Sequence, residues 1–176
     1  MNHSLKTLLI FLASTFGAAA IGGAATGRSI RDWYPTLRKP AANPPSWIFG
    51  PVWTTLYLMM AVAAWLDWGR GRNTPAGKRA LGLFAGQLGL NALWSILFFG
   101  LHAPGMALLE IVGLWAAIAA WLATSLQVDR RAAALIAPYL AWVSFASYLN
   151  FRIWKLNQAP ALFGQIARVQ RSGESE

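Results

Sequence analysis

Gln87, Asn91 and Trp94 stand four and three residues apart in an otherwise apolar run, and Phe84 and Phe98 continue the same spacing. At about 100° per residue these five side chains share one face of a helix. Amides are costly against hydrocarbon, so this face is expected to look inward. There they can hydrogen-bond a neighbouring helix or serve as the polar handles of an aromatic pocket, and this segment alone favours neither. A second face carries Gly82, Gly86, Gly89 and Leu93. Gly82-x-x-x-Gly86 is a small-residue spacing that permits close helix approach.

Two further segments repeat the aromatic pattern. Phe49, Trp53, Tyr57 and Met60 fall on one helical face, with Pro51 expected to kink the first turn. Trp142, Ala146, Leu149 and Ile153 fall on another, flanked by Tyr139, Val143, Asn150 and Trp154, in a helix beginning at or just before Pro138-Tyr139. Brought together, the three faces would wall an apolar cavity suited to flat hydrophobic ligands.

Other chemistry is poorly represented. Cysteine is absent, which removes disulfides, thiolate ligands and thiol nucleophiles. His3 and His102 lie near expected helix ends and lack partners at ligand or triad spacing, so neither a metal site nor a resident cofactor is expected. No glycine-rich phosphate loop follows a strand. Glu110 is the one acid well inside an apolar run. It could couple to protons, but an acid near a helix start also complements the macrodipole, and that reading is preferred.

The elements that position these residues follow from composition. Apolar residues make up 56% of the 176-residue chain and charged residues 12%, the latter about half the usual share. A soluble domain or a disordered chain is thereby excluded. Five runs approach the roughly 20 apolar residues that cross a bilayer as a helix: about 5–26, 46–66, 80–101, 105–126 and 132–154. The expected fold is an all-α bundle of five transmembrane helices. The first run could be a cleaved leader, with Lys6 before it and Ala18, Ala19 and Ala20 as a cleavage site. Its continuation to Ala25 suits a span better.

Arg28, Arg31, Arg38, Lys39, Asp67, Arg70, Arg72, Lys78, Arg79, Asp129, Arg130 and Arg131 fall between the expected spans. The net charge of +9 is therefore assigned to membrane headgroups rather than to nucleic acid. The two sides carry seven and eight Lys/Arg residues, which sets no orientation. Trp33, Trp47, Trp65, Trp68 and Trp154 are expected in the interfacial aromatic belt, and Trp115 and Trp121 against lipid. Spans three and four, joined only by His102–Pro104, must form an antiparallel hairpin. The connection 27–45 is long enough to act as a lid, and 159–176 is a short polar tail expected to fray.

The strings Trp33-Tyr34-x-x-Leu37-x-Lys39-Pro40-x-x-x-Pro44-Pro45-x-x-x-Phe49-x-x-x-Trp53, Gly86-Gln87-Leu88-x-Leu90-Asn91-x-x-Trp94 and Pro138-Tyr139-Leu140-x-Trp142 closely resemble the translocator protein family, also called TspO or the tryptophan-rich sensory proteins. The likeness covers about residues 5–157. It implies a five-helix membrane bundle, usually a homodimer with Gly82 and Gly86 at its seam, located in a bacterial cell envelope. It further implies a cavity beneath the first loop for porphyrins such as protoporphyrin IX and haem, for sterols and for aromatic drugs. Carried over by position, Gly23, Phe49, Trp53, Tyr57, Asn91, Trp94, Trp142, Ala146, Leu149 and Asn150 would line it. The implied role is that of a receptor or transporter with a regulatory or stress function. The alternatives are a light- and oxygen-dependent porphyrin-degrading enzyme and a non-binding scaffold.

Two positions depart from the family pattern. Ala42 stands where many members have tryptophan, which bears on lid closure. Phe151 stands where the sterol-recognition segment has tyrosine, although Val143-x-x-x-x-Tyr148-x-x-x-Arg152 matches in another register.

Overall fold

The computed structural model describes residues 3–173, with side chains described for 4–158. The tail expected at 159–176 lies outside the described side chains. Five helices follow in order: α1 (His3–Asp32), α2 (Phe49–Gly71), α3 (Pro75–Ser95), α4 (Pro104–Val128) and α5 (Arg130–Gly173). All five carry segments long and apolar enough to cross a membrane. Neighbours in space run α1, α2, α5, α4, α3 and back to α1, with α2 and α3 also touching across the ring. Every helix thus buries one face and leaves another for lipid.

Several boundaries differ from expectation. Helix α1 continues through Arg28 and Arg31 to Asp32, because the lone Gly27 does not interrupt a helix and Arg31 complements its C-terminal dipole. The connection expected to act as a lid therefore shortens to residues 33–45. Helix α3 starts at Pro75, where Thr74 accepts a hydrogen bond from the Gly77 amide and proline fills the first turn. Helix α5 starts at Arg130, so Pro138 lies within it rather than at its start. Pro51 sits in the first turn of α2, where its missing N–H breaks no helical bond.

Close packing at the α2–α3 turn depends on two glycines. A Cβ on Gly77 would collide with the Gly71 carbonyl, and one on Gly71 would lie 2.7 Å from Val128 Cγ1. The α3–α4 hairpin is as tight as its short connection requires. Helix α3 ends in a π-helical turn, Ile96–Gly100, and His102 takes a left-handed conformation with φ of 51°. The His102 ring stacks on Trp33 with centroids 4.2 Å apart and its Nε2 lies 3.0 Å from Ser29 Oγ. These contacts bind the hairpin to the end of α1 and the start of the lid.

Trp121 corrects the expectation of a lipid-facing ring. It is fully buried, packs on Phe84, and donates from Nε1 to Asp67 Oδ2 at 3.0 Å. Asp67, expected in a connection, is itself fully buried inside α2, and Ser125 Oγ donates to the same oxygen at 2.7 Å. The carboxylate and the indole place each other through Oδ2, while Asp67 Oδ1 is buried without a hydrogen-bond partner among the described residues. Trp115 remains partly exposed, as expected, with Nε1 donating to Ser144 Oγ. Glu110 lies beyond the first turn of α4, so the macrodipole reading fails; both its carboxylate oxygens are buried without a partner among the described residues.

Candidate functional site: an aromatic cavity beneath a clamped lid

Four helices and the lid enclose a cavity of about 300 Å³. Helix α2 presents Phe49, Trp53 and Tyr57 at successive turns. Helix α3 and its π turn present Trp94, Phe98 and Phe99, and α5 presents Trp142, Ala146, Leu149, Asn150 and Ile153. The wall is continuous: Phe49 meets Trp142 at 6.2 Å between centroids, Trp53 meets Tyr57 at 5.5 Å, and Trp94 stacks on Phe98 at 5.1 Å. Such a wall offers π faces and apolar area with few polar competitors.

Nine of the ten carried-over residues line this cavity, namely Gly23, Phe49, Trp53, Tyr57, Trp94, Trp142, Ala146, Leu149 and Asn150. Asn91 does not. It sits behind the wall, where Tyr57 Oη donates to its Oδ1 at 2.7 Å and its Nδ2 donates to Tyr139 Oη at 3.1 Å. Tyr139 Oη then donates to Gln87 Oε1 at 2.9 Å. The two amides are thus interhelical glue joining α2, α3 and α5, and through Tyr57 they fix one cavity wall. A different amide reaches the cavity: Asn150 Oδ1 accepts from Trp94 Nε1 at 3.0 Å while its Nδ2 donates to the Pro104 carbonyl at 2.7 Å.

The contribution of α1 was not anticipated beyond Gly23. Ala19, Gly22, Gly23, Thr26 and Ile30 line the cavity. Their three- and four-residue spacing is a small-residue stripe visible in the sequence. Gly22 is the tight position, because a Cβ there would lie 3.0 Å from Ser95 Oγ, whereas Gly23 has open space.

The lid is held from within and from outside. Lys39 Nζ donates to the backbone carbonyls of Tyr34 and Leu37 at 2.6 and 3.1 Å and lies 4.8 Å from the Tyr34 ring centre. Partial burial draws its pKa down. Tyr34, 4% exposed, turns its ring to the cavity and donates its hydroxyl to Asn43 Oδ1 at 2.7 Å. Burial raises that hydroxyl's pKa, and the Asn43 bond offsets part of the rise. From α5, Asn157 Oδ1 accepts from the Arg38 amide at 3.1 Å and its Nδ2 donates to the Arg38 carbonyl at 3.0 Å. Ala42 is exposed and takes no part in the cavity.

The alternative sterol register is split between environments. Val143 is 1% exposed and Tyr148 44%, so its members do not share a lipid-facing surface. The glycine face of α3 is uncovered: positions 82, 86 and 89 have nothing within 4 Å of a built Cβ.

Comparison with known proteins agrees with this architecture. A sequence profile of the TspO/MBR family matches residues 9–155. The chain is 41% identical to the tryptophan-rich protein TspO of Chlorobaculum tepidum, over 89% of this chain and 99% of that one. It is 42% identical to the translocator protein of Homo sapiens, over 74% of this chain and 78% of that one. It is 38% identical to the tryptophan-rich sensory protein of Cereibacter sphaeroides, over 89% and 95%. With five spans, an aromatic cavity among four of them and a match along most of its length, this chain is an integral multi-pass membrane protein and belongs to the TspO/MBR family.

Proposed function

We propose that this protein binds porphyrins, protoporphyrin IX and haem among them, in the cavity beneath the lid, and acts as a membrane receptor or transporter in a regulatory or stress role. The observation that carries this reading is the convergence of Phe49, Trp53, Trp94 and Trp142 from three helices on one apolar space. A flat π system stacks on such walls and gains roughly 25 cal/mol for each Å² of apolar surface removed from water. The volume stands at the low end of about 300–1,000 Å³ for ligand cavities, so a tetrapyrrole enters with displacement of residues 33–45. The words "translocator" and "sensory" in the names of the relatives support a role in moving or sensing the ligand. Sterols have weaker support because of the split register around Tyr148. We place the protein in a bacterial cell envelope, in line with the Chlorobaculum and Cereibacter relatives. We also infer a homodimer through Gly82 and Gly86, whose open surface lets a second α3 approach.

Titration of the detergent-solubilised protein with protoporphyrin IX tests the central reading. Saturable quenching of tryptophan fluorescence, weakened about ten- to a hundredfold by Trp142→Ala, is the expected result. Trp115→Ala, on the lipid side, serves as the control. Quenching unchanged in Trp142→Ala and Trp53→Ala moves the site off this cavity. A new absorbing product under light and oxygen assigns the porphyrin-degrading activity instead, and no quenching at all leaves a scaffold.

A further inference from the structure

A second, smaller cavity of about 130 Å³ opens at the far end of α2, where the starts of α1 and α5 meet it. Its lining includes Ser4, Trp65, Leu66, Arg70, Asp129 and Arg131. Asp129, at the joint of α4 and α5, is 2% exposed. Arg131 donates to it from Nε at 3.2 Å and from Nη2 at 3.0 Å, and Arg70 Nε lies 3.2 Å from its Oδ2. Two guanidiniums therefore share one carboxylate and leave one positive charge in excess. Their side chains are 59% and 64% exposed, and their remaining N–H groups have no partner among the described residues.

The surroundings state what such a charge would meet. Trp65 donates from Nε1 to the Ser4 carbonyl at 3.0 Å, and Arg72 stacks on Trp68 at 4.5 Å. Indoles at the ends of spans mark the headgroup level of a bilayer. Leu66 gives the cavity an apolar side, and α1, which reaches it at Ser4, carries the exposed Leu5 and Leu9. Guanidinium forks pre-set by a carboxylate suit the oxygens of a phosphate. Basic pockets between spans at this depth fit lipid headgroups.

We propose that this cavity holds the phosphate of one anionic phospholipid, with Arg70 and Arg131 as its ligands, Asp129 positioning them, and an acyl chain on the α1 surface. A free phosphate ion shares the charge but has no use for the apolar side.

Native mass spectrometry of the full chain, offered equal phosphatidylglycerol and phosphatidylcholine, tests this. The expected result is one retained phosphatidylglycerol, preferred roughly thirtyfold from two basic contacts. Arg70→Gln/Arg131→Gln abolishes the preference, whereas Lys78→Gln/Arg79→Gln, removing the same charge from the same end, keeps it. Should the glutamine pair fail to fold, Arg70→Lys/Arg131→Lys retains the charge without the fork and loses most of the preference. An unchanged preference in whichever arginine variant folds overturns the proposal. So does an equal loss in Lys78→Gln/Arg79→Gln, which would mean diffuse attraction. Displacement of the lipid by millimolar inorganic phosphate would mean a free-anion site and overturns it as well.

Discussion

The Trp94 indole and the Asn150 amide are bonded across the cavity wall at 3.0 Å, and Asn150 at the same time donates to the carbonyl of Pro104, the first residue of α4, at 2.7 Å. One buried amide thus joins α3, α4 and α5 and sets the plane of a ring that faces the cavity. Asn150→Ala leaves the Trp94 indole N–H unsatisfied, at a cost of about 1–3 kcal/mol. Thermal unfolding in detergent should fall accordingly. Porphyrin affinity should fall with it as Trp94 loses its fixed orientation. Asn150→Asp, keeping an acceptor, should restore part of the Trp94 geometry in the fluorescence spectrum.

Trp121 and Asp67 give the sharpest stability prediction. Trp121→Ala removes a fully buried ring and strips Asp67 of one donor. A loss of about 3–5 kcal/mol is expected, read as a large fall in unfolding temperature whether or not porphyrin is present. Trp121→Ala combined with Asp67→Asn should cost less than the sum of the two, because the pair is coupled.

The lid clamp predicts a kinetic effect. Lys39→Met removes the charge that gathers the Tyr34 and Leu37 carbonyls. Amide exchange across residues 33–45 should rise and porphyrin dissociation should quicken severalfold, with the unfolding temperature little changed. Asn157→Ala, cutting the tie from α5 to Arg38, should act in the same direction.

Asp129 sets a pH dependence. The Arg131 side-chain hydrogen bonds, aided by its backbone amide and by the charge of Arg70, hold the carboxyl below its usual pKa against the cost of burial. A folded-state value below the unfolded value of about 3.9 contributes stability above that pH, lost as pH falls through the folded value. The unfolding temperatures of wild type and Asp129→Asn should therefore differ at neutral pH and converge below about pH 4.

The glycine face predicts association. Gly86→Leu fills an open position on α3. Cross-linking should show fewer dimers while the monomer keeps its unfolding temperature and its porphyrin affinity. Unchanged cross-linking would put the seam elsewhere.

The five spans were legible because transfer of apolar side chains to hydrocarbon is nearly additive along the chain. A run of some 20 such residues needs no partner to declare itself. The aromatic faces of α2, α3 and α5 were legible for a related reason: a helix assigns its faces by spacing alone, so Phe49, Trp53 and Tyr57 must stay together wherever α2 packs. Spacing does not say which face a neighbour covers. Trp121 sits in a run as apolar on its lipid side as on its buried side, and only the arrival of Asp67 from α2 selects the interior. Asn91 and Asn150 are alike as residues. One became glue and the other a cavity wall because Tyr57 and Tyr139 meet at the first while Trp94 and Pro104 meet at the second. The lid carried no hydropathy signal for its ties, since the partners Arg38 and Asn157 are 119 positions apart. Such pairings exist only once the ring of helices has closed, because hydrogen bonds and ring contacts depend on distances in space that no local pattern encodes.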